Sequence, residues 1–243
     1  MAEDVRTALA SGTRDFDHSL WDQLLAAGTR DGLVDYAYFA GRREDLTRYL
    51  EAVAAAPLAE LEASQLEALL INAYNALTVE TILRHPGVAS IREIDGVWTD
   101  IRHPVAGHRL TLDEIEHNVL RPFFRDPRIH FAVNCASMSC APLPPWAFTG
   151  DDLDAQLDER TRAFLADPRN ARLEDGALRL SRYFDWYGDD FTAPDWSPRA
   201  DSVTAFVAAY APPELASALA DGRTEVRFTD YDWSLNDPAR SGS

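Results

Sequence analysis

A mostly helical α+β fold is what this sequence predicts, on three observations: a long apolar segment with helical period at residues 64–85, two S/T-x-x-E signatures, and short apolar runs punctuated by Gly. The expected architecture is a single domain with a small, largely antiparallel sheet and a central buried helix near residues 64–85.

The elements follow in order. Residues 16–27 read as a short helix with Leu20, Leu24 and Leu25 on one side, broken at Asp31-Gly32. LVDYAYF after it reads as extended or turn-like. Residues 44–55 are helical and Pro57 ends them, because proline cannot continue the ladder. Ser64-x-x-Glu67 reads as a capping box that opens the strongest helix. Leu66, Leu69, Leu70, Ala73, Leu77 and Leu83 mark its face, and Pro86-Gly87 its stop. Being apolar almost all round, this helix belongs in the core.

VAGHRLTL suggests a hairpin at Gly107, and Thr111-x-x-Glu114 a second capping box for a helix reaching Phe124. Arg128–Asn134 reads as a buried strand. Its alternation puts His130, Ala132 and Asn134 on one face and Phe131 and Val133 on the other. Pro142, Pro144 and Pro145 keep the next stretch a loop. A helix over 151–166 follows, then a hairpin at Asp175-Gly176 and short helices over 182–187, 201–209 and 213–220. The last strand spans 224–229.

With 40 acidic residues against 23 basic ones, all of them Arg, the net charge is −17 and the pI about 4.6. No basic patch is present to release counterions from nucleic acid or an anionic membrane, so neither is an expected partner. A salty cytoplasm and a high-GC genome both produce such a surface. The N-terminus has no charged start and apolar run of a secretory signal, and no apolar stretch reaches 18 residues. With only two cysteines, five apart, a structural disulfide is not expected either, which suits the cytoplasm.

Chemistry-bearing residues concentrate between 113 and 140. Cys135 and Cys140 are candidate nucleophiles, since a thiolate needs a neighbouring His or a helix N-terminus. His130 and His117 are the candidate bases, and Glu116 or Asp113 a candidate orienter. Buried small hydrophobes are the plain alternative for the thiols, a satisfied core imidazole for His130, and a solvated stripe for His117 with Arg121. Asn72 and Asn75 sit in the most apolar helix, where an amide is costly without partners. They either clamp a loop backbone or hold a ligand. Asn134, on one strand face with His130, needs hydrogen-bond partners, and its amide, like Asn72 or Glu116, could orient the base.

The motifs INAYNALTVETIL, IEHNVLR, DPRIHFAVNCASMSCAPL, FDWYGDDF and YDWSLN, in this order, resemble the DUF547 family of uncharacterised proteins. The likeness runs from Phe16 to Asn236. It implies a single DUF547-like domain over 16–237, an N-terminal extension over 1–15 and a tail over 238–243. It marks Asn72, Tyr74, Asn75, Glu116, His117, Arg121, His130, Asn134, Cys135, Ser139 and Cys140, then Trp186, Asp190, Asp232, Trp233 and Asn236. Leu69-Leu70 stand where the pattern has Phe-Trp, and Ala141 where it has Pro. Plant members carry Ser or Asp at the cysteine positions, which implies that the fold does not require the thiols. The family brings no reaction, substrate or cofactor with it.

Three functional readings follow. The first is a cysteine-dependent hydrolase or acyl transferase with catalytic Cys135, Cys140, His130, His117 and Glu116, and binding residues Asn72, Asn75, Asn134, Ser139 and Arg121. The second is a non-catalytic module that binds a small molecule or peptide. The third is a metal site of His130, Cys135 and Cys140 or His117, although C-x4-C spacing with no second pair fits structural zinc poorly. No phosphate loop, serine elbow or dinucleotide fingerprint is present, and no cofactor is expected.

Overall fold

The computed structural model describes residues 1–219 and 224–239. The proposed tail therefore lies outside the described residues from position 240 on, as does Ala220, the expected end of a helix. The fold is mostly helical α+β, about half of it helix, and divides into two compact units.

The first unit comprises Met1–Phe124, Val133–Leu153 and the chain from Trp233 on. Its centre is the Ala63–Arg84 helix, in which every residue from Leu66 to Ile82 except Glu67 is buried. The helices Ala2–Ser11, Tyr36–Gly41, Arg43–Ala54 and Leu112–Ile115 pack around it. Its cap differs from the expected Ser64 box. Glu62 is the N-cap, and its carboxylate accepts from the Ser64 and Gln65 amides. A carboxylate at that end also complements the helix dipole. At Thr111 the expected capping box forms in full. The helix Ser19–Gly28 adds an aromatic wall, with Trp21 stacked on Tyr49 at 5.6 Å.

The second unit comprises Arg125–Ala132 and Asp154–Asp232. The helix Leu153–Ala166 runs into it, and a three-stranded sheet follows. Ala171–Glu174 pairs antiparallel with Ala177–Leu180, which pairs parallel with Glu225–Phe228. Phe131, Phe164, Phe184, Phe191 and Phe206 form a buried aromatic core.

Where one small sheet was expected, the described residues form three separate ones, two of them lone hairpins in the first unit: Thr29–Arg30 with Leu33–Val34, and His103–Val105 with His108–Leu110. All three hairpins turn on two residues of positive φ: Asp31-Gly32, Ala106-Gly107 and Asp175-Gly176. Such turns match the right-handed twist of the strands they join. LVDYAYF supplies one strand and then the Tyr36–Gly41 helix.

Two local expectations are overturned. Pro127–Phe131 is a short 3-10 helix, not part of a strand. Asp126 caps it by accepting from the Arg128 amide, and Pro127 supplies a fixed φ at its first position. Residues 127–134 are all buried, so the apparent alternation separates no inner face from an outer one. The helix expected to run from 111 to 124 is broken by a wider π turn at Glu116–Leu120 between Leu112–Ile115 and Arg121–Phe124. Such turns insert one residue per turn and often accompany functional positions.

Candidate functional site

In the first unit, four buried polar side chains hold the loop that carries both cysteines. Asn75 Oδ1 accepts the Asn134 backbone amide at 2.7 Å. The Asn134 side chain then reaches both limbs of the loop: Oδ1 accepts from the Ala136 N–H at 3.0 Å and Nδ2 donates to the Ala141 carbonyl at 2.7 Å. Asn236 donates to Asn134 Oδ1 and accepts from the Tyr36 hydroxyl at 2.7 Å. Burial pushes the Tyr36 phenol well above its usual range, which keeps it a donor. A fully satisfied amide network of this kind fixes one backbone conformation.

The YDWSLN motif contributes more than Asn236. Met138 N–H donates to the Ser234 carbonyl, and Asn236 N–H to the Ala136 carbonyl. Inside the loop, Cys140 N–H closes a turn onto the Ser137 carbonyl at 3.1 Å. Ala136 sits at φ 61, a left-handed conformation that costs a non-glycine residue roughly 1 kcal/mol or more.

The two cysteines differ. Cys135 is half-buried and its sulfur lies 3.2 Å from Ser137 Oγ, whereas Cys140 is 4% exposed. The Cys135 backbone N–H points at Cys140 Sγ, 2.7 Å away, and the two form no disulfide. Ser139 is half-buried in the same loop. Asn72 instead donates to the Phe148 carbonyl at 2.7 Å and accepts its N–H at 3.1 Å. Both helix asparagines thus engage loop backbone, the first of the two roles expected for them.

His117, half-buried on the π turn, is engaged along its own helix. Arg121 Nη1 lies 2.8 Å from its Nδ1, and Asp113 Oδ1 lies 3.4 Å from its Nε2. Arginine can only donate, so Nδ1 accepts and Nε2 carries the proton. In this arrangement neither nitrogen offers a lone pair to a substrate. Glu116 beside it is buried.

In the second unit, His130 is 1% exposed, with Nε2 2.8 Å from Asp190 Oδ2 and its ring stacked on Tyr187 at 3.9 Å. A carboxylate on one ring nitrogen fixes tautomer and orientation, as in base–orienter pairs. Arg128, two residues before it, bonds Asp126 with two nitrogens and also Asp154 and Asp158, each of the latter at 2.7 Å. Burial pushes the Asp126 carboxyl up, with Arg128 opposing.

Asp190 and Asn236 were marked by the family likeness alone, in FDWYGDDF and YDWSLN, with no role attached, and Tyr36 was not marked at all. Tyr36 carried no sequence signal, since its partner is 200 positions away. Among the described residues no group of three or more His, Cys, Asp or Glu is placed to hold a metal ion, so the metal reading lacks a ligand set. No described helix is long and apolar enough to cross a membrane.

Residues 58–165, somewhat under half of the chain, match the family model described as "Protein of unknown function, DUF547". The match takes in the Ala63–Arg84 helix, the π turn and the cysteine loop. Neither a curated protein nor a solved structure matches the chain.

Proposed function

We propose that this chain is a cysteine-dependent hydrolase or acyl transferase whose reacting sulfur is Cys135. One observation carries the reading: the Asn134 amide pins both limbs of a loop that leaves Cys135 half-exposed while burying Cys140. A nucleophile held on a preorganised, locally strained backbone is what acyl transfer requires. The Cys135 thiolate adds to the acyl carbonyl, the leaving group departs with a proton from the general acid–base, and water or an acceptor releases the acyl group. His130 and His117 are the candidates for that base. His117 shares a compact unit with Cys135 and serves as base once Arg121 lets go of Nδ1. The substrate is a small molecule or peptide, and the protein works in the cytoplasm, where its thiols stay reduced.

The test is single-turnover and steady-state hydrolysis of generic ester, thioester and amide panels by the wild type, C135A, C140A, H117N and H130N. C135A abolishes turnover, C140A retains it, and one of the two histidine variants slows it by at least about 100-fold. Equal rates for wild type and C135A, or a Cys135 that no alkylating agent modifies between pH 6 and 9, overturn the proposal. A second reading, a non-catalytic ligand-binding module, is favoured by His117, whose two ring nitrogens face Arg121 and Asp113 and not a thiol. It predicts that C135S changes stability without changing affinity for any ligand the panel finds.

A further inference from the structure

Cys135 and Cys140 are placed so that oxidation joins them. Cys140 Sγ lies 2.7 Å from the Cys135 backbone nitrogen. With ordinary bond lengths this bounds the distance from that sulfur to Cys135 Cα at about 4.2 Å, and the Cα–Cα separation at about 7 Å. A disulfide spans Cα atoms about 4.4–6.8 Å apart, and only beyond about 7 Å must the backbone move.

Two further features hold the pair in that range. The Ser137–Cys140 turn folds the chain back on itself. The single Asn134 side chain binds Ala136 and Ala141, the neighbours of the two cysteines. For the bond to form, the Cys135 side chain rotates away from Ser137 Oγ, its contact at 3.2 Å, and the Cys140 sulfur leaves the Val133 carbonyl, 3.8 Å away. The exposures divide the roles, since the half-exposed sulfur meets an oxidant first and the buried one lies against the backbone of the same residue.

We infer that Cys135 is an oxidation site for small hydroperoxides and that Cys140 resolves it into a reversible disulfide within the loop. The Cys135 thiolate attacks the peroxide O–O bond, giving Cys135 sulfenic acid and releasing hydroxide, or an alkoxide from an organic peroxide. The Cys140 thiolate then attacks the Cys135 sulfur. The S–S bond forms and the sulfenic hydroxyl leaves as water with the proton Cys140 has lost. Two thiols are oxidised and one peroxide is reduced. A cytoplasmic disulfide of this sort is transient and not structural, so it is compatible with a reducing compartment. The inference goes beyond the acyl-transfer reading and does not rest on it, because it is read as covalent mass, not as turnover.

Both cysteines fall in one tryptic peptide, residues 129–160, because the chain has no lysine and no arginine lies between Arg128 and Arg160. The full chain is treated with hydrogen peroxide near neutral pH, with and without dimedone, blocked with iodoacetamide and digested. The expected wild-type product is that peptide about 2 Da lighter than its reduced form and unalkylated, converted by dithiothreitol and then a second portion of iodoacetamide to the doubly alkylated peptide. Tandem fragmentation separates any oxygen on Met138 from the sulfur chemistry. C140S stops at Cys135 sulfenic acid, captured by dimedone, and C135S leaves Cys140 unoxidised. Asn134→Ala slows loop closure relative to sulfenic acid formation. Wild-type protein that keeps two alkylatable thiols overturns the inference. So does one that accumulates Cys135 sulfinic acid without the disulfide, or that forms only disulfide-linked dimers.

Discussion

Lowering the pH from 7 to 5 should destabilise this fold through two buried histidines. His18 is 4% exposed, its Nδ1 2.8 Å from the Tyr49 hydroxyl and its Nε2 without a partner. His103 is 3% exposed and its Nε2 also lacks a partner. Burial drives each imidazole down to about 4, with Arg84 and Arg109 adding to the effect at His103. In the unfolded chain each titrates near 6.5, so below that value the unfolded state binds protons that the folded state refuses. The stability they leave intact at pH 7 is therefore lost as pH falls through 6.5, and the loss levels off below 4.

With those two values the loss is about 2 kcal/mol per histidine at pH 5 and about 3 kcal/mol at its limit. Together they remove about 4 kcal/mol at pH 5, a large share of a typical 5–15 kcal/mol. The assay is urea unfolding followed by tryptophan fluorescence at pH 7, 6 and 5, on the wild type and His18→Phe. The variant lacks the Tyr49 contact and is less stable at pH 7, but its loss between pH 7 and 5 is about 2 kcal/mol smaller. Parallel stability–pH curves for the two proteins would refute the reasoning.

Three further outcomes rest on single contacts. Asn72→Leu leaves the buried Phe148 N–H and carbonyl without their partner and should cost roughly 2–4 kcal/mol in the same unfolding assay, with no change in slope against urea. Arg128→Met strands the buried Asp126 carboxylate and should destabilise by about 3–5 kcal/mol, seen as a lower Tm; Asp154 and Asp158 sit nearer solvent and add little. Ala136→Gly relieves the left-handed strain at φ 61, and a gain of roughly 0.5–1 kcal/mol in unfolding free energy checks it.

The long helix was legible because 22 residues sum many weak signals: an apolar pattern, good formers and a Pro-Gly stop. Thr111-x-x-Glu114 was legible because both bonds of its cap close within four residues. The cap at Ala63 was misread because Glu62 and Ser64 both offer side-chain oxygens there, and only the backbone angles at the helix entry choose between them. The 3-10 turn at Pro127–Phe131 was misread as part of a strand because period two over so short a run is weak evidence. Burial all round then erases the contrast on which the period depends. The π turn leaves no trace in the apolar pattern at all.

The cysteine loop shows the same division. A reader of the sequence could mark Asn75, Asn134, Cys135 and Cys140 as polar or reactive groups in apolar surroundings that need partners. What those partners are depends on separations of 59 positions for Asn75 with Asn134, 102 for Asn134 with Asn236, and 60 for His130 with Asp190. By itself the sequence determined the helical α+β class, the hairpins at Gly107 and at Asp175-Gly176 and the Thr111 cap, since each arises from neighbours a few residues apart. Only the tertiary structure decided which cysteine is accessible, that His117 is held by Arg121 and Asp113, and that Asn134 ties the loop shut. The exposures follow from the packing of distant segments, and the contacts of His117 and Asn134, though local in sequence, depend on a π turn and a loop backbone that no residue pattern announces.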